Sequence, residues 1–175
     1  MNSIFKLESI PVLIVENKIL YTIDTSVKKL EGYRYSFSHQ LFPLIKITPS
    51  GNNSIATIIC YGETLFEVEL AVREALIELE LFYDILCPTV ISPVSTKGIK
   101  ESVQKTNNLI IVEEGSGEAS WGSEVVARLT EQDIKIDKLL RFSNNNVIPS
   151  SYHAEKNILP NKQNIYDLII SIEEK

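Results

Sequence analysis

From Ser54 onward the chain alternates short apolar runs with longer stretches whose apolar residues recur at steps of three and four. "SIATIICY", "YDILCPTVISP", "NLIIVEE" and "DKLLRF" are too short and too β-branched for helices and read as strands. Between the first two lies "GETLFEVELAVREALIELE", where Leu65, Val68, Val72, Ala75 and Leu79 form one apolar stripe. A shorter helix is predicted from Thr96 to Thr106. Another carries Trp121, Val125 and Leu129 on one face, and a last one opens at Asn164 with Ile165, Leu168, Ile169 and Ile172 inward. Strands separated by helices of this length need crossover connections, so the pattern predicts an α/β fold: a mostly parallel sheet covered by helices on both faces.

Local signals refine the picture. Thr64 with Glu67 has the spacing of a capping box, and Glu69 with Arg73 that of an i,i+4 ion pair. Upstream, "PVLIVE" (11–16) reads as a buried strand opened by Pro11. Residues 22–54 have weak periodicity and end in the turn-rich "TPSGNNS", which reads as a connecting arm rather than a second core.

Composition narrows the partners. The 175 residues suit one domain. A net charge of -6 and a pI near 5.0 argue against nucleic acid, whose binding needs basic surface, and leave room for a basic protein partner. Cys60 and Cys87 lie in apolar segments, as expected of buried reduced thiols rather than a disulfide framework. No apolar run reaches the roughly 18 residues of a membrane span, and no leader pattern opens the chain. The Ile- and Asn-heavy composition points to an AT-rich bacterial genome. The expectation is a soluble, cytoplasmic protein with no membrane partner.

The stretch "LIIVEEGSGEASWGSE" (109–124) has the strand, glycine loop and helix layout of a phosphate cradle. Its glycines, Gly115, Gly117 and Gly122, do not make G-x-G-x-x-G, and no Gly-Lys-Ser/Thr follows. A helix N-terminus favours an anion by only about 0.3–1 kcal/mol, which several nearby acids cancel. Glu113, Glu114 and Glu118 crowd this loop, so the acids themselves are read as the anions that the helix start prefers. As an acid/base pair, Glu113 and Glu114 find no partner by spacing, and capping or solvated acids are the preferred reading. His39 and His153 lack metal-ligand spacing, and "EGSGE" is no nucleophile elbow. Residue types and spacing yield no catalytic set. Trp121, on the helix after Gly117, is an aromatic anchor for self-association.

The same stretch, continued to "LIIVEEGSGEASWGSEVVARL", resembles the strand–loop–helix in the C-terminal domain of the beta subunit of thiamine-diphosphate-dependent 2-oxoacid dehydrogenases, the pyruvate and branched-chain type. Trp121, Gly122 and Glu124 match the aromatic and Gly-x-Glu that open the family's helix. "PVLIVENKILY", "ATIICYGETLFEVELAV", "YDILCPTVISPVSTKGIKESVQKTNNL" and "IPSSYHAEKNILPNKQNIYDLIISI" resemble the family's other segments in collinear order.

The resemblance implies a three-layer α/β/α sandwich of the transketolase C-terminal-domain type. It divides the chain into the tail end of a pyrimidine-binding domain (1–21), a connecting arm (22–54) and the transketolase C-terminal-like domain (55–175). The glutamate that activates the cofactor ring and the Gly-Asp-Gly…Asn motif for diphosphate and magnesium fall outside the sequence. No cofactor is therefore expected on this chain alone; thiamine diphosphate and magnesium belong to the full enzyme. The implied partners are the alpha subunit, a second beta subunit and the basic peripheral-subunit-binding domain of the dihydrolipoyl acyltransferase, with a homo-oligomer expected. Asp137 matches the family's Asp near the docking surface and Arg141 the arginine of the following strand, although Lys138-Leu139 replaces the family's Ala-Pro. A stand-alone, non-catalytic interaction module and the equivalent domain of a transketolase or deoxyxylulose-phosphate synthase remain open alternatives.

Overall fold

A computed structural model describes residues 10–22, 29–144 and 147–173. Strands β1 (Tyr33–Phe37), β2 (Leu44–Pro49), β3 (Ala56–Cys60), β4 (Tyr83–Pro88), β5 (Asn108–Val112) and β6 (Lys138–Phe142) form one sheet in the order β1-β2-β4-β3-β5-β6. β4, β3, β5 and β6 run parallel; β2 pairs antiparallel with β4, and β1 with β2. The helices are α1 (Thr64–Leu79), α2 (Lys97–Thr106), α3 (Trp121–Thr130), α4 (Tyr152–Ile158) and α5 (Lys162–Ile170). The expected mostly parallel α/β/α sandwich is the fold observed.

Period-two alternation divides the core between the two faces of the sheet. Ile58, Cys60, Ile85, Cys87, Ile110 and Val112 pack under Val68, Ala71, Val72 and Ala75 of α1 and Ile165 and Ile169 of α5. Their strand neighbours Ile59, Leu86, Leu109 and Ile111 face Ile99 and Val103 of α2 and Val125 and Leu129 of α3. Central strands buried on both faces explain why these runs read as continuous apolar stretches.

Several expectations give way to the structure. Residues 11–16 are not a buried strand: they are irregular, with Leu13 90% and Val15 87% exposed. An apolar run becomes a strand only beside a hydrogen-bonding edge, and among the described residues no strand pairs with this one. The arm at 22–54 holds β1 and β2, which extend the same sheet. Their Tyr33 and Ile47 enter the α1-side core, and the Tyr33 hydroxyl accepts a hydrogen bond from the Tyr83 N–H at 3.1 Å. The capping box at Thr64 does not form. Thr64 donates its hydroxyl to the Tyr61 carbonyl, and Glu67 accepts from the Lys162 N–H at 2.7 Å, 95 positions away. The last helix begins before Asn164: Asn161 caps it, and Asn164 completes the reciprocal box. Helix α4 has no apolar stripe to announce it in the sequence.

Candidate functional site

The carboxyl ends of the parallel strands gather the loops that follow β3, β5 and β6, where ligands of open α/β sheets usually lie. Glu113 stands at the end of β5 with 1% of its surface exposed. One carboxylate oxygen accepts from the Ser120 hydroxyl at 2.8 Å and from Arg141 Nη2 at 3.1 Å. The other accepts from the Gly122 N–H at 3.1 Å, in the first turn of α3. Ser120 caps the same helix through the Ser123 N–H. Arg141 Nη2 also donates to Ser120 Oγ at 2.7 Å and to the Gly117 carbonyl at 3.1 Å.

Gly122 is what lets this cluster close. A Cβ there would lie 2.7 Å from both Glu113 Oε1 and Ile111 Cγ2, so any larger residue would push the carboxylate off the helix start. The anion at the helix N-terminus is therefore Glu113 itself, in agreement with the reading of the acidic loop. An open groove of about 600 Å³ lies beside the cluster, lined by Ser116, Gly117, Glu118, Arg141, Ser143 and Asn144.

A second group of acids lies at the same end of the sheet. Burial first, then the hydrogen bond and charge of Glu63, with a contribution from Glu155 of α4, push the Glu114 carboxyl up to about 7. Glu63, in the turn after β3, also accepts a hydrogen bond from the Asn17 amide. Tyr61 of that turn meets Trp121 edge-to-face, ring centroids 5.1 Å apart. Tyr61 is held above its ordinary value by burial first and then by Glu113 and Glu114. Glu113 and Glu114 are thus adjacent in sequence but in different surroundings: one paired and buried, the other half-buried near further acids. Among the described residues no group of three His, Cys, Asp or Glu side chains is placed to hold a metal.

The three residues singled out from the sequence do not meet at one point. Arg141 and Trp121 share the carboxyl end of the sheet, Arg141 bonded to Ser120 beside Trp121. Asp137 lies at the other end of β6, paired with Lys135 at 2.7 Å, its N–H donating to the Asn107 carbonyl. Trp121 packs against the α2–α3 side of the core rather than standing clear of it. The partner of Glu113 was invisible to spacing because Arg141 is 28 residues away. It becomes readable only from the β5–β6 register, which sets Ile111 beside Arg141.

Residues 45–165 match the family "Transketolase, C-terminal domain". The chain is similar to the pyruvate dehydrogenase E1 component subunit beta of Rhizobium meliloti (strain 1021), with 29% identity over 93% of this chain and 34% of that one. It is 25% identical to the corresponding subunit of Cyanidium caldarium, over 95% of this chain and 49% of that protein. The mitochondrial subunit of Caenorhabditis elegans is 26% identical over 89% and 44%. The chain thus spans between a third and a half of these relatives' length. In fold it resembles a split gene transketolase, described as an inactive beta4 tetramer, with a TM-score of 0.62 and 16% identity over 86% of this chain and 45% of that one. The 2-oxoglutarate:ferredoxin oxidoreductase of Magnetococcus marinus gives a TM-score of 0.52 at 12% identity, over 74% of this chain and 19% of that one.

Proposed function

The chain belongs to the transketolase C-terminal-domain family, in the form carried by 2-oxoacid dehydrogenase beta subunits, and from that premise we propose that it serves subunit association and acyltransferase docking while the reacting centre lies on other polypeptide. The observation that carries this reading is the hinge after β5. Its helix start holds Glu113, its arginine is committed to that carboxylate, and Glu63 and Glu155 lie near enough to Glu114 to raise its carboxyl. These residues do not fit thiamine diphosphate, because a diphosphate would meet carboxylates where it needs donors and cations. The cofactor and its magnesium belong to the full enzyme, on the alpha subunit and the rest of the beta subunit.

On this reading residues 1–21 end a pyrimidine-binding domain, 22–54 link it to the rest, and 55–175 form the association domain. Asp137 is the docking acid, on a surface where a net charge of -6 attracts a basic partner. Arg141 acts by holding the hinge, and Trp121 by shaping the α3 face used between copies of the chain. Calorimetry tests the reading directly. The purified chain is expected to give no heat with thiamine diphosphate and to co-purify with the alpha subunit of a pyruvate dehydrogenase when the two are co-expressed. Micromolar cofactor binding by the chain alone, or failure to retain the alpha subunit, overturns it.

A further inference from the structure

Two thiols used by none of the above lie together beneath the turn after β3. Cys60 ends β3, and Cys87 stands one residue beyond Leu86 on β4. The register pairs Ile59 with Leu86, so the next position on each strand brings the thiols side by side, on the face packed against α1. Both are free, Cys60 fully buried and Cys87 5% exposed. Neighbouring strands lie about 4.8 Å apart, inside the roughly 4.4–6.8 Å Cα separation that a disulfide spans.

The surroundings treat the two sulfurs differently. Cys60 donates its thiol to the Cys87 sulfur, and the Gly62 N–H donates to it as well. Gly62 has φ 64, a left-handed turn suited to glycine, and this turn folds the chain back over β4. Cys87 is lowered by the Cys60 hydrogen bond first, against the effect of burial, whereas Cys60 is raised by that same bond and by burial. Cys87 is also the sulfur with exposed surface, so an oxidant meets it first. Two free thiols at matching positions of neighbouring strands can be joined without moving either strand, one acting as the attacked sulfur and the other as its resolving partner.

We propose that Cys60 and Cys87 form a peroxide-oxidisable dithiol, with Cys87 as the attacking sulfur and Cys60 as the resolving one. The Cys87 thiolate displaces one oxygen of hydrogen peroxide to give a sulfenic acid, the departing hydroxide taking a proton to become water. The Cys60 sulfur, losing its proton, then attacks that sulfenic sulfur and expels its oxygen as a second water. In balance, two thiols and one peroxide give one disulfide and two waters. The new bond ties the carboxyl end of β3 to β4, three residues before Glu63.

The test uses the full, reduced chain. It is treated with hydrogen peroxide without denaturant, blocked with N-ethylmaleimide, digested unreduced and mapped by mass spectrometry. One peptide pair linked through Cys60 and Cys87 is expected, with the intact chain two hydrogens lighter and restored by dithiothreitol. C60S should stall at a dimedone-trapped sulfenic acid on Cys87, and C87S should leave Cys60 unreactive. Two alkylatable thiols after peroxide, or only disulfides between chains, overturn the proposal. The wild-type map needs no variant, so it decides the matter even if either serine variant folds poorly. A negative result bears on the dithiol alone and not on subunit association, which rests on other residues.

Discussion

Arg141 is the residue on which the hinge depends most. It faces a carboxylate that is 1% exposed, and a buried ion pair broken on one side leaves an uncompensated charge. Arg141→Met is therefore expected to lower the unfolding free energy by about 2–4 kcal/mol, slightly under the usual range for breaking buried pairs because the arginine is partly exposed. Urea unfolding checks this, and E113Q/R141M provides the control. With no charge left to strand, the double variant should be more stable than R141M alone; equal or lower stability would mean that the pair is not what the arginine contributes. Glu114 is the opposite case, an acid gathered with other acids. Its folded value of about 7 lies above the ordinary 4.5, so the folded chain keeps a proton that the unfolded chain releases. Unfolding between these values gives up that proton, and stability from this group, complete below pH 4.5, falls as pH rises towards 7. Glu114→Gln is expected to melt with wild type at pH 4 and a few degrees above it at pH 8, the difference kept small by solvent screening. Coincident melting curves at pH 8 would refute the assignment.

At the scale of elements, the strands are more legible than the helix ends. β3, β4 and β5 are apolar runs that must be buried wherever they lie, whereas β6, with Lys138 and Leu139 exposed, is an edge strand; α1, α2 and α3 follow their apolar stripes. What a single run cannot state is its neighbour. Residues 11–16 are as apolar as β5 yet remain outside the sheet, whereas the less apolar β1 and β2 join it because Tyr33 and Ile47 reach the core. Caps are similarly conditional. Glu67 could have reached back to its own helix start, but α5 presents the Lys162 N–H to it instead. The end of α1 is equally silent in the sequence: Glu80 takes φ 55 there, a left-handed conformation unfavourable for a residue with a Cβ. Glu80→Gly should stabilise the chain by about 0.5–1 kcal/mol, the relief of that conformation outweighing the greater freedom of glycine in the unfolded state. Thermal or urea unfolding decides it, and a destabilised variant would show that the Glu80 side chain makes up for its backbone.

For the molecule as a whole, the sheet separates support from function. Towards the amino ends of β3 and β4, buried Asp84 accepts from the hydroxyls of Ser54 and Ser102, and Thr57, Ser102 and Thr106 continue the network. That network satisfies its own buried groups, while the carboxyl end keeps an open groove and, near it, a group of acids. The candidate site was legible only as far as its local anion; its pairing with Arg141 and the gathering of Glu63, Glu114 and Glu155 are products of topology. The strongest sign that the chain is meant to be joined is at 10–15, where Ile10, Val12, Leu13, Ile14 and Val15 stay exposed. Such a run gains nothing in isolation, but beside a sheet edge it would bury apolar surface worth roughly 25 cal/mol per Å². Hydrogen exchange tests this. In the chain alone, the amides of residues 12–16 should exchange at unstructured rates while those of β3 and β5 are protected. Co-expressed with the pyrimidine-binding domain of a pyruvate dehydrogenase beta subunit, residues 12–16 should gain protection comparable to a paired strand. Protection already present in the chain alone would show that the segment has its own partner here, and no gain in the complex would remove it from the domain junction.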